Sequence, residues 1–203
     1  CSSNFFILKN NKPITNDHSR KVSHLLRYQN QGILTSYKTI NSDNPKLNCR
    51  INGLEKFSPT RLIIDKNLKL NTNSFIVSSS MKYNTIIFHH SINKKKINFF
   101  RSKKIKLIFS DLNKYGDMDL KFILKKSYEK GIHNILVECG IKLTNNILKE
   151  NLFNEFYLFK SNNKIINKYR LNVKSINKKL KIAFKNIESI NTYLDKDSLI
   201  HYY

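Results

Sequence analysis

Two arginines, Arg27 and Arg50, are the first residues whose type and spacing suggest chemistry. They lie on either side of the polar turn Ser42-Asp43-Asn44-Pro45. A guanidinium group presents a planar fork of N–H donors that matches the oxygens of a phosphate or carboxylate, so two of them can hold an anionic small molecule. The alternative is that both are surface arginines of a basic protein. The residues alone leave both interpretations open.

A second candidate site is the segment Glu138-Cys139-Gly140, which follows the apolar run Ile135-Leu136-Val137. This order predicts a strand whose carboxyl end leads into a helix from about Lys142 to Asn151. Free N–H groups at a helix N-terminus bind phosphate, and ligands collect beyond the carboxyl ends of parallel strands. The glycine-rich nucleotide motifs G-x-G-x-x-G and G-x-x-x-x-G-K-[ST] are both absent, so an ordinary strand-to-helix turn remains the alternative.

The sequence gives little support to metal chemistry. His89-His90 follows an apolar run, but no carboxylate or cysteine stands at ligand spacing from it. The zinc-deaminase pattern H-x-E with P-C-x-x-C is also missing from the chain. Cys1, Cys49 and Cys139 share no metal-like spacing, and we expect them to be free thiols in a reducing compartment. We therefore predict no metal.

The formal charge of +23 over 203 residues raises the question of a nucleic-acid partner. The lysines are spread along the chain, which favours a compositional bias, and a basic nucleic-acid-binding domain is the least favoured hypothesis. No window is long and apolar enough to predict a membrane span. We predict a solvated loop for the densest basic cluster, which consists of Lys94-Lys95-Lys96, Arg101, Lys103 and Lys104.

These side chains must be positioned by helices and strands that the apolar pattern predicts. Thr15 or Asn16 is predicted to cap a first helix, which Gly32 ends. Its inward face carries Val22, Leu25 and Leu26, and its outward face carries Arg20, His24 and Arg27. A second helix is predicted from Asp117 to Lys130, with Gly131 as its stop. Strands are predicted at Phe5–Leu8, Ile33–Ser36, Arg61–Asp65, Phe75–Ser79, Thr85–His89, Ile105–Phe109, Ile135–Val137, Asn154–Lys160, Leu180–Ile187 and Ser198–Tyr203.

Strands that alternate with helices and close on two strands without an intervening helix predict a three-layer α/β domain. Its central sheet is mostly parallel, with an antiparallel C-terminal edge. A chain of this length corresponds to one domain, residues 1–203. It begins without a methionine, and we expect that it is truncated at its N-terminus.

Several of these segments together resemble the reductase domain of the bifunctional riboflavin-biosynthesis family RibD. The matching motifs occur in the family's order between Ile14 and about Lys160. Together they are more specific than any one of them. They are His24-Leu25-Leu26-Arg27, Ile33-Leu34-Thr35-Ser36, the run from Asp43 to Arg50, Ile63-Ile64-Asp65, Val137-Glu138-Cys139-Gly140 and Leu152-Phe153-Asn154-Glu155-Phe156.

The resemblance implies a dihydrofolate-reductase-like fold and an NADPH-dependent reduction. The implied substrate is the phosphoribosyl pyrimidine 5-amino-6-(5-phosphoribosylamino)uracil, and the product is its ribitylamino counterpart. It further implies a cytoplasmic homodimer and a deaminase domain, either linked to this chain or separate. The segment Ser2-Ser3-Asn4 and the residues Pro13 and Cys139 depart from the family pattern. A catalytically degenerate module that serves dimerisation or deaminase docking is therefore the alternative function.

The resemblance also implies roles for individual residues. Asp43 and Glu138 are the expected catalytic residues. The expected substrate-binding residues are Asn11, Arg27, Leu47, Arg50 and Glu138. The expected cofactor-binding residues are Thr39, Asp43, Lys66, Gly140, Ile141, Lys142, Leu143, Thr144, Asn145 and Asn146.

Overall fold

The computed structural model describes residues 1–8, 14–166, 170–190 and 194–203. The chain forms two compact units, one made of Cys1–Ser23 with Ile141–Tyr203 and the other of His24–Gly140. The strands are β1 (Phe6–Leu8), β2 (Gly32–Ser36), β3 (Thr60–Ile64), β4 (Thr85–His89), β5 (Lys106–Phe109), β6 (Ile135–Val137), β7 (Phe156–Lys160), β8 (Arg170–Asn172), β9 (Ile187–Ile190) and β10 (Ser198–Tyr202). The helices are α1 (Asp17–Gln29), α2 (Tyr37–Asp43), α3 (Phe75–Ser78), α4 (Lys94–Ser102), α5 (Leu120–Tyr128), α6 (Ile141–Lys149) and α7 (Lys174–Ala183), with a 3-10 turn at Glu55–Phe57.

The unit His24–Gly140 is built on a five-stranded sheet in the order β5-β4-β3-β2-β6. Every neighbouring pair in it is parallel. The strands β2, β3 and β4 are almost wholly buried, which explains why they read as continuous apolar runs and not as alternating ones. The α/β class with a parallel central sheet is therefore confirmed.

Three helices between these strands were not predicted from the sequence, namely α3, α4 and also α2, where only the polar turn Ser42-Asp43-Asn44-Pro45 was expected. Phe75–Ser79 was expected as a strand but forms α3, and the lysine-rich cluster expected as a loop lies largely on α4. Parallel neighbours need a crossover connection, and α3 and α4 lie in such connections, one between β3 and β4 and one between β4 and β5. On α4, Phe100 is buried in the core while the lysines lie in solvent, so the cluster is one face of an amphipathic helix.

The core of this unit joins the sheet to its covering segments. Ile33, Ile63 and Ile87 come from three adjacent strands, and Phe100 packs against them from α4. Gly32 does not end α1 as predicted, because α1 stops at Gln29 and Gly32 opens β2. A Cβ atom at Gly32 would lie 2.7 Å from Ile132 Cγ2, so packing requires the glycine.

In the unit Cys1–Ser23 with Ile141–Tyr203, the strands are antiparallel. β1 pairs with β8, and β10 lies between β7 and β9, so the C-terminal strands form a sheet of their own. The strand predicted at Leu180–Ile187 is wrong except at its last residue, because Leu180–Ala183 belongs to α7 and β9 begins only at Ile187. Ile176, Leu180 and Phe184 recur every four residues and pack with Tyr202, which is the spacing of a helix face.

Helix α1 is capped as predicted, since Asn16 Oδ1 accepts a hydrogen bond of 2.9 Å from the Ser19 amide. Its orientation differs from the prediction. Leu25 was expected to face inward but is 41% exposed, whereas His24 and Arg27 are partly buried. His24 and Arg27 turn inward because they contact the Asn48 carbonyl oxygen, and Arg27 also pairs with Glu138. No helix in the described ranges is long and apolar enough to cross a membrane.

Candidate active site

Arg27 and Glu138 form a two-pronged ion pair within the unit His24–Gly140. Arg27 Nε donates to Glu138 Oε1 and Arg27 Nη2 donates to Oε2, both at 2.7 Å. The side chains are only 13% and 30% exposed. The Glu138 amide donates to the Leu34 carbonyl at 3.0 Å, which continues the β2–β6 ladder and holds the carboxylate at the end of β6. A fork of this kind fixes both direction and distance.

Asn48 brings Arg50 into the same network. Its carbonyl oxygen accepts a hydrogen bond of 3.2 Å from Arg27 Nη1, and its side-chain Oδ1 accepts one of 3.2 Å from Arg50 Nη1. Its Nδ2 donates to the Tyr83 hydroxyl at 3.0 Å. One largely buried asparagine therefore orients both arginines.

His24 lies against this network without adding charge to it. Its Nδ1 is 3.2 Å from the Asn48 carbonyl oxygen and 3.4 Å from Arg27 Nη1. Burial, together with the neighbouring positive charges of Arg27 and Arg50, lowers the pKa of His24 to about 4. The imidazole is therefore neutral near pH 7. With its proton on Nδ1 it donates to the carbonyl, which is the shorter of the two contacts.

Arg50 is the more exposed of the two arginines. The Arg27 fork is occupied by Glu138, so the predicted grip by two equivalent arginines becomes a held Arg27 beside an accessible Arg50. Partial burial lowers the pKa of Arg50, and repulsion from Arg27 adds to this effect. Two guanidinium groups and one carboxylate leave a net positive charge, which suits an anion.

Leu47 takes part through its main chain. Its side chain is 2% exposed and packs in the core, and its backbone lies in the left-handed region with φ +48°. A side chain that is packed in this way cannot contact a ligand, so any contact by Leu47 is made by its backbone. Bulky residues rarely adopt this conformation, and the surrounding core must hold it.

The residues expected on the nicotinamide side follow the carboxyl ends of two neighbouring strands. Thr39 lies in the first turn of α2, directly after β2, where the Ser36 hydroxyl caps its amide. Asp43 is the exposed last residue of α2. Lys66 follows β3, and its Nζ donates to the Gly116 carbonyl at 2.6 Å. Lys66 is therefore held by this loop and not by the arginine cluster.

The expected pyrophosphate cradle is Gly140 with the first turns of α6. Gly140 has no atom within 4 Å of a Cβ built on it, so the space in that direction is unfilled. Helix α6 follows at once and has no acidic residue in its first turn, while Lys142 is exposed. Asn145 is occupied, because Nδ2 donates to the Ile141 carbonyl and Oδ1 accepts from Lys179 Nζ. The main-chain donors and the lysine charge fit a cofactor phosphate.

Two further predictions concern Asn11 and metal binding. Asn11 lies outside the described residues. Within the described ranges, no group of three or more histidine, cysteine or acidic side chains could hold a metal ion.

Three members of this network were not predicted from the sequence. His24 and Asn48 were not predicted to belong to a ligand site, and Tyr83 was not singled out at all. His24 lies one helical turn before Arg27, and Asn48 lies between Leu47 and Arg50, so both carried a positional signal. Tyr83 carried none, because its contact with Asn48 joins residues 35 apart in sequence.

Comparison with known proteins agrees with this fold. Residues 9–182 match the family model described as the RibD C-terminal domain. The riboflavin biosynthesis protein RibD of Aquifex aeolicus is 30% identical over 182 residues, which cover 88% of this chain and 49% of that protein. The chain thus spans about half the length of this curated relative.

Solved structures show the same fold. Form 1 of Acinetobacter baumannii RibD has a TM-score of 0.73 at 16% identity, covering 99% of this chain and 55% of that one. The riboflavin biosynthesis reductase Rib7 of Saccharomyces cerevisiae has a TM-score of 0.70 at 18% identity, covering 99% of this chain and 84% of that one.

Proposed function

Because this chain belongs to the RibD C-terminal domain family, we propose that it reduces 5-amino-6-(5-phosphoribosylamino)uracil to the ribitylamino compound with NADPH. The observation that carries the proposal is the accessible Arg50 beside the fixed Arg27–Glu138 fork. This arrangement combines an accessible cation for a phosphate with an oriented carboxylate for sugar hydroxyl groups. A phosphoribosyl substrate offers both.

Each charged residue has a distinct part in binding the substrate. Arg50 binds the phosphate, and Asn48 directs the guanidinium from one side. Glu138 keeps lone pairs beyond those used by Arg27, and its partial exposure lets it accept a hydrogen bond from the ribose. Leu47 adds main-chain contacts. Orientation of this kind can supply a large share of the rate enhancement without any covalent step by the protein.

The cofactor supplies a hydride when it is bound. Its phosphates would be held by main-chain donors and by the charge of Lys142. These groups belong to Gly140 and to the first turns of α6, from Ile141 to Asn146. On the nicotinamide side we assign Thr39 and Asp43, and for the 2′-phosphate Lys66. We assign Asp43 and Glu138 as the catalytic carboxylates. Asp43 is the acidic residue on the expected nicotinamide side, and Glu138 is the acidic residue on the expected substrate side.

The proposal extends to the partners of this chain. We propose a cytoplasmic homodimer that works with a deaminase, either linked to the chain or separate. The length of the RibD relative beyond the matched region supports a second domain in that protein. Sedimentation of the purified chain tests the dimer, and a single species of monomer mass would contradict it.

The central experiment measures turnover by the purified chain with this substrate and NADPH, following cofactor oxidation and product mass. We expect turnover in the unaltered chain. Arg50→Ala should raise KM for the substrate roughly 10- to 100-fold with little change in kcat, as expected for losing a charged hydrogen bond. Arg101→Ala is the matched control, since Arg101 is an exposed arginine in the last turn of α4, and it should behave like the unaltered chain.

A titration of NADPH binding, read together with the turnover assay, separates the proposal from its alternative. NADPH binding without turnover would favour the catalytically degenerate module. If the chain shows no NADPH binding and no turnover, the reductase function is ruled out altogether.

A further inference from the structure

Arg61 is a buried cation that takes no direct part in the proposed reaction. It is the second residue of β3, and its side chain is fully buried. Among the described residues no carboxylate forms an ion pair with it, and its Nε has no hydrogen-bond partner. Burial lowers the pKa of Arg61 to about 10, so the guanidinium stays charged at neutral pH. A buried charge without a counter-ion is costly, and the sites that retain one need an explanation.

Carbonyl and hydroxyl oxygens and two aromatic rings take the place of a counter-ion. Arg61 Nη2 donates to the Lys46 carbonyl at 2.9 Å, and Nη1 donates to Ser79 Oγ at 2.9 Å. The guanidinium carbon lies 4.5 Å from the ring centre of Tyr83 and 5.7 Å from that of Phe75. Cation–π contacts of this kind are stronger where water is excluded.

Two of these contacts lead directly to the candidate active site. Lys46 precedes Leu47, whose backbone is in the left-handed region, and Asn48, whose two oxygens orient Arg27 and Arg50. Tyr83 reaches the same asparagine from its other side, because its hydroxyl accepts the hydrogen bond from Asn48 Nδ2. Arg61 therefore holds both the main chain that enters the site and the ring that sets the Asn48 amide.

We propose that Arg61 and Tyr83 are positioning residues for the anion site. Arg61 fixes the ring of Tyr83 and the Lys46 carbonyl, Tyr83 fixes Asn48, and Asn48 fixes the direction of the Arg50 guanidinium. This inference rests on the proposed function for the identity of the anion, but its physical content is binding of a phosphate group by Arg50. Neither residue touches the substrate in this scheme.

The central test is Tyr83→Phe, which removes the hydroxyl and keeps the ring over Arg61. We expect KM for the phosphoribosyl substrate to rise about five- to tenfold, the usual effect of one lost neutral hydrogen bond, while kcat stays unchanged. If Tyr83 had only a structural role, Tyr83→Phe would lower the melting temperature but leave KM unchanged, so the rise in KM is the deciding readout. Tyr128→Phe is the matched control, because Tyr128 is an exposed tyrosine on α5.

A double-mutant cycle tests whether Tyr83 acts through Asn48. We expect the effect of Tyr83→Phe to vanish when Asn48 is already alanine, since the hydroxyl then has no amide to orient. Equal effects of Tyr83→Phe in both backgrounds would overturn the proposal, as would an unchanged KM in the single variant.

Binding of ribose 5-phosphate, measured by calorimetry, separates this inference from the proposed function. The inference predicts weaker binding by Tyr83→Phe whether or not the chain turns over. Arg61→Met should weaken ribose 5-phosphate binding more than Tyr83→Phe does, because it releases the Lys46 carbonyl as well. If Arg61→Met does not fold, the tyrosine variant and the cycle still decide the question.

Discussion

Glu138 holds Arg27 through two hydrogen bonds of 2.7 Å, although 111 residues separate the two in sequence. One side chain comes from the last turn of α1 and the other from the end of β6. Because of this ion pair the two arginines differ, since Arg27 is held by Glu138 whereas Arg50 is accessible. The site therefore has one fixed wall and one cation for an incoming anion.

Breaking the fork should destabilise the unit that contains it. We expect Arg27→Met to lower the free energy of unfolding by about 2 kcal/mol, because Glu138 is left largely buried without its partner. The double variant Arg27→Met with Glu138→Gln should lose less than the sum of the two single variants. Urea denaturation measures these values, with Arg101→Met as the control. Strictly additive losses would show that the fork does not form in solution.

His24 should make the stability of the chain fall in mild acid. Its pKa is lowered from 6.5 to about 4 in the folded protein, so between these pH values the unfolded chain binds a proton that the folded chain does not. Stability is therefore lost as the pH falls from about 6.5 to about 4, and is unaffected by this group above that window.

The measurement is the urea midpoint over a pH series for the unaltered chain and for His24→Gln. Glutamine keeps a polar side chain and does not titrate. The difference between the two curves should grow as the pH falls within the window. Parallel curves would contradict the pKa shift of His24.

Gly32 should not tolerate a side chain. An added methyl group would lie 2.7 Å from Ile132 Cγ2 and 3.1 Å from Leu62 Cδ1, in the middle of the packed sheet. We expect Gly32→Ala to lower the free energy of unfolding by about 1–3 kcal/mol, as overpacking does. Thermal or urea denaturation measures it. A variant as stable as the unaltered chain would mean that the side chains of Ile132 and Leu62 move aside at little cost.

Gly140 should show the opposite behaviour. Its Cβ would meet nothing within 4 Å, so Gly140→Ala should leave stability unchanged. If a cofactor phosphate approaches this backbone, the methyl group should weaken NADPH binding by roughly tenfold, the cost of a steric contact of moderate size. Fluorescence titration with NADPH measures the affinity, and Gly32→Ala provides the comparison in which stability falls instead. Unchanged affinity would place the phosphates elsewhere.

Much of the parallel sheet could be predicted from the sequence. Buried strands such as Thr85–His89 read as largely apolar runs, and a helix cap was recognisable at Thr15 or Asn16, of which the structure uses Asn16. These signals are local, because a few neighbouring residues are enough to produce them. The segment Phe75–Ser79 was misread because its apolar, β-branched residues also suit a short helix in a crossover.

Only part of the candidate site could be predicted from the sequence. Residue types and spacing made Arg27, Arg50 and Glu138 candidates, and only the family resemblance implied a role for each. The Arg27–Glu138 fork, the bridging by Asn48 and the support from Tyr83 and Arg61 came from the structure alone. They depend on β2 lying between β3 and β6 in the sheet. Strand order is a long-range property, and no local run of residues encodes it. The sequence by itself therefore determined which side chains could do chemistry, and the tertiary structure decided which of them meet.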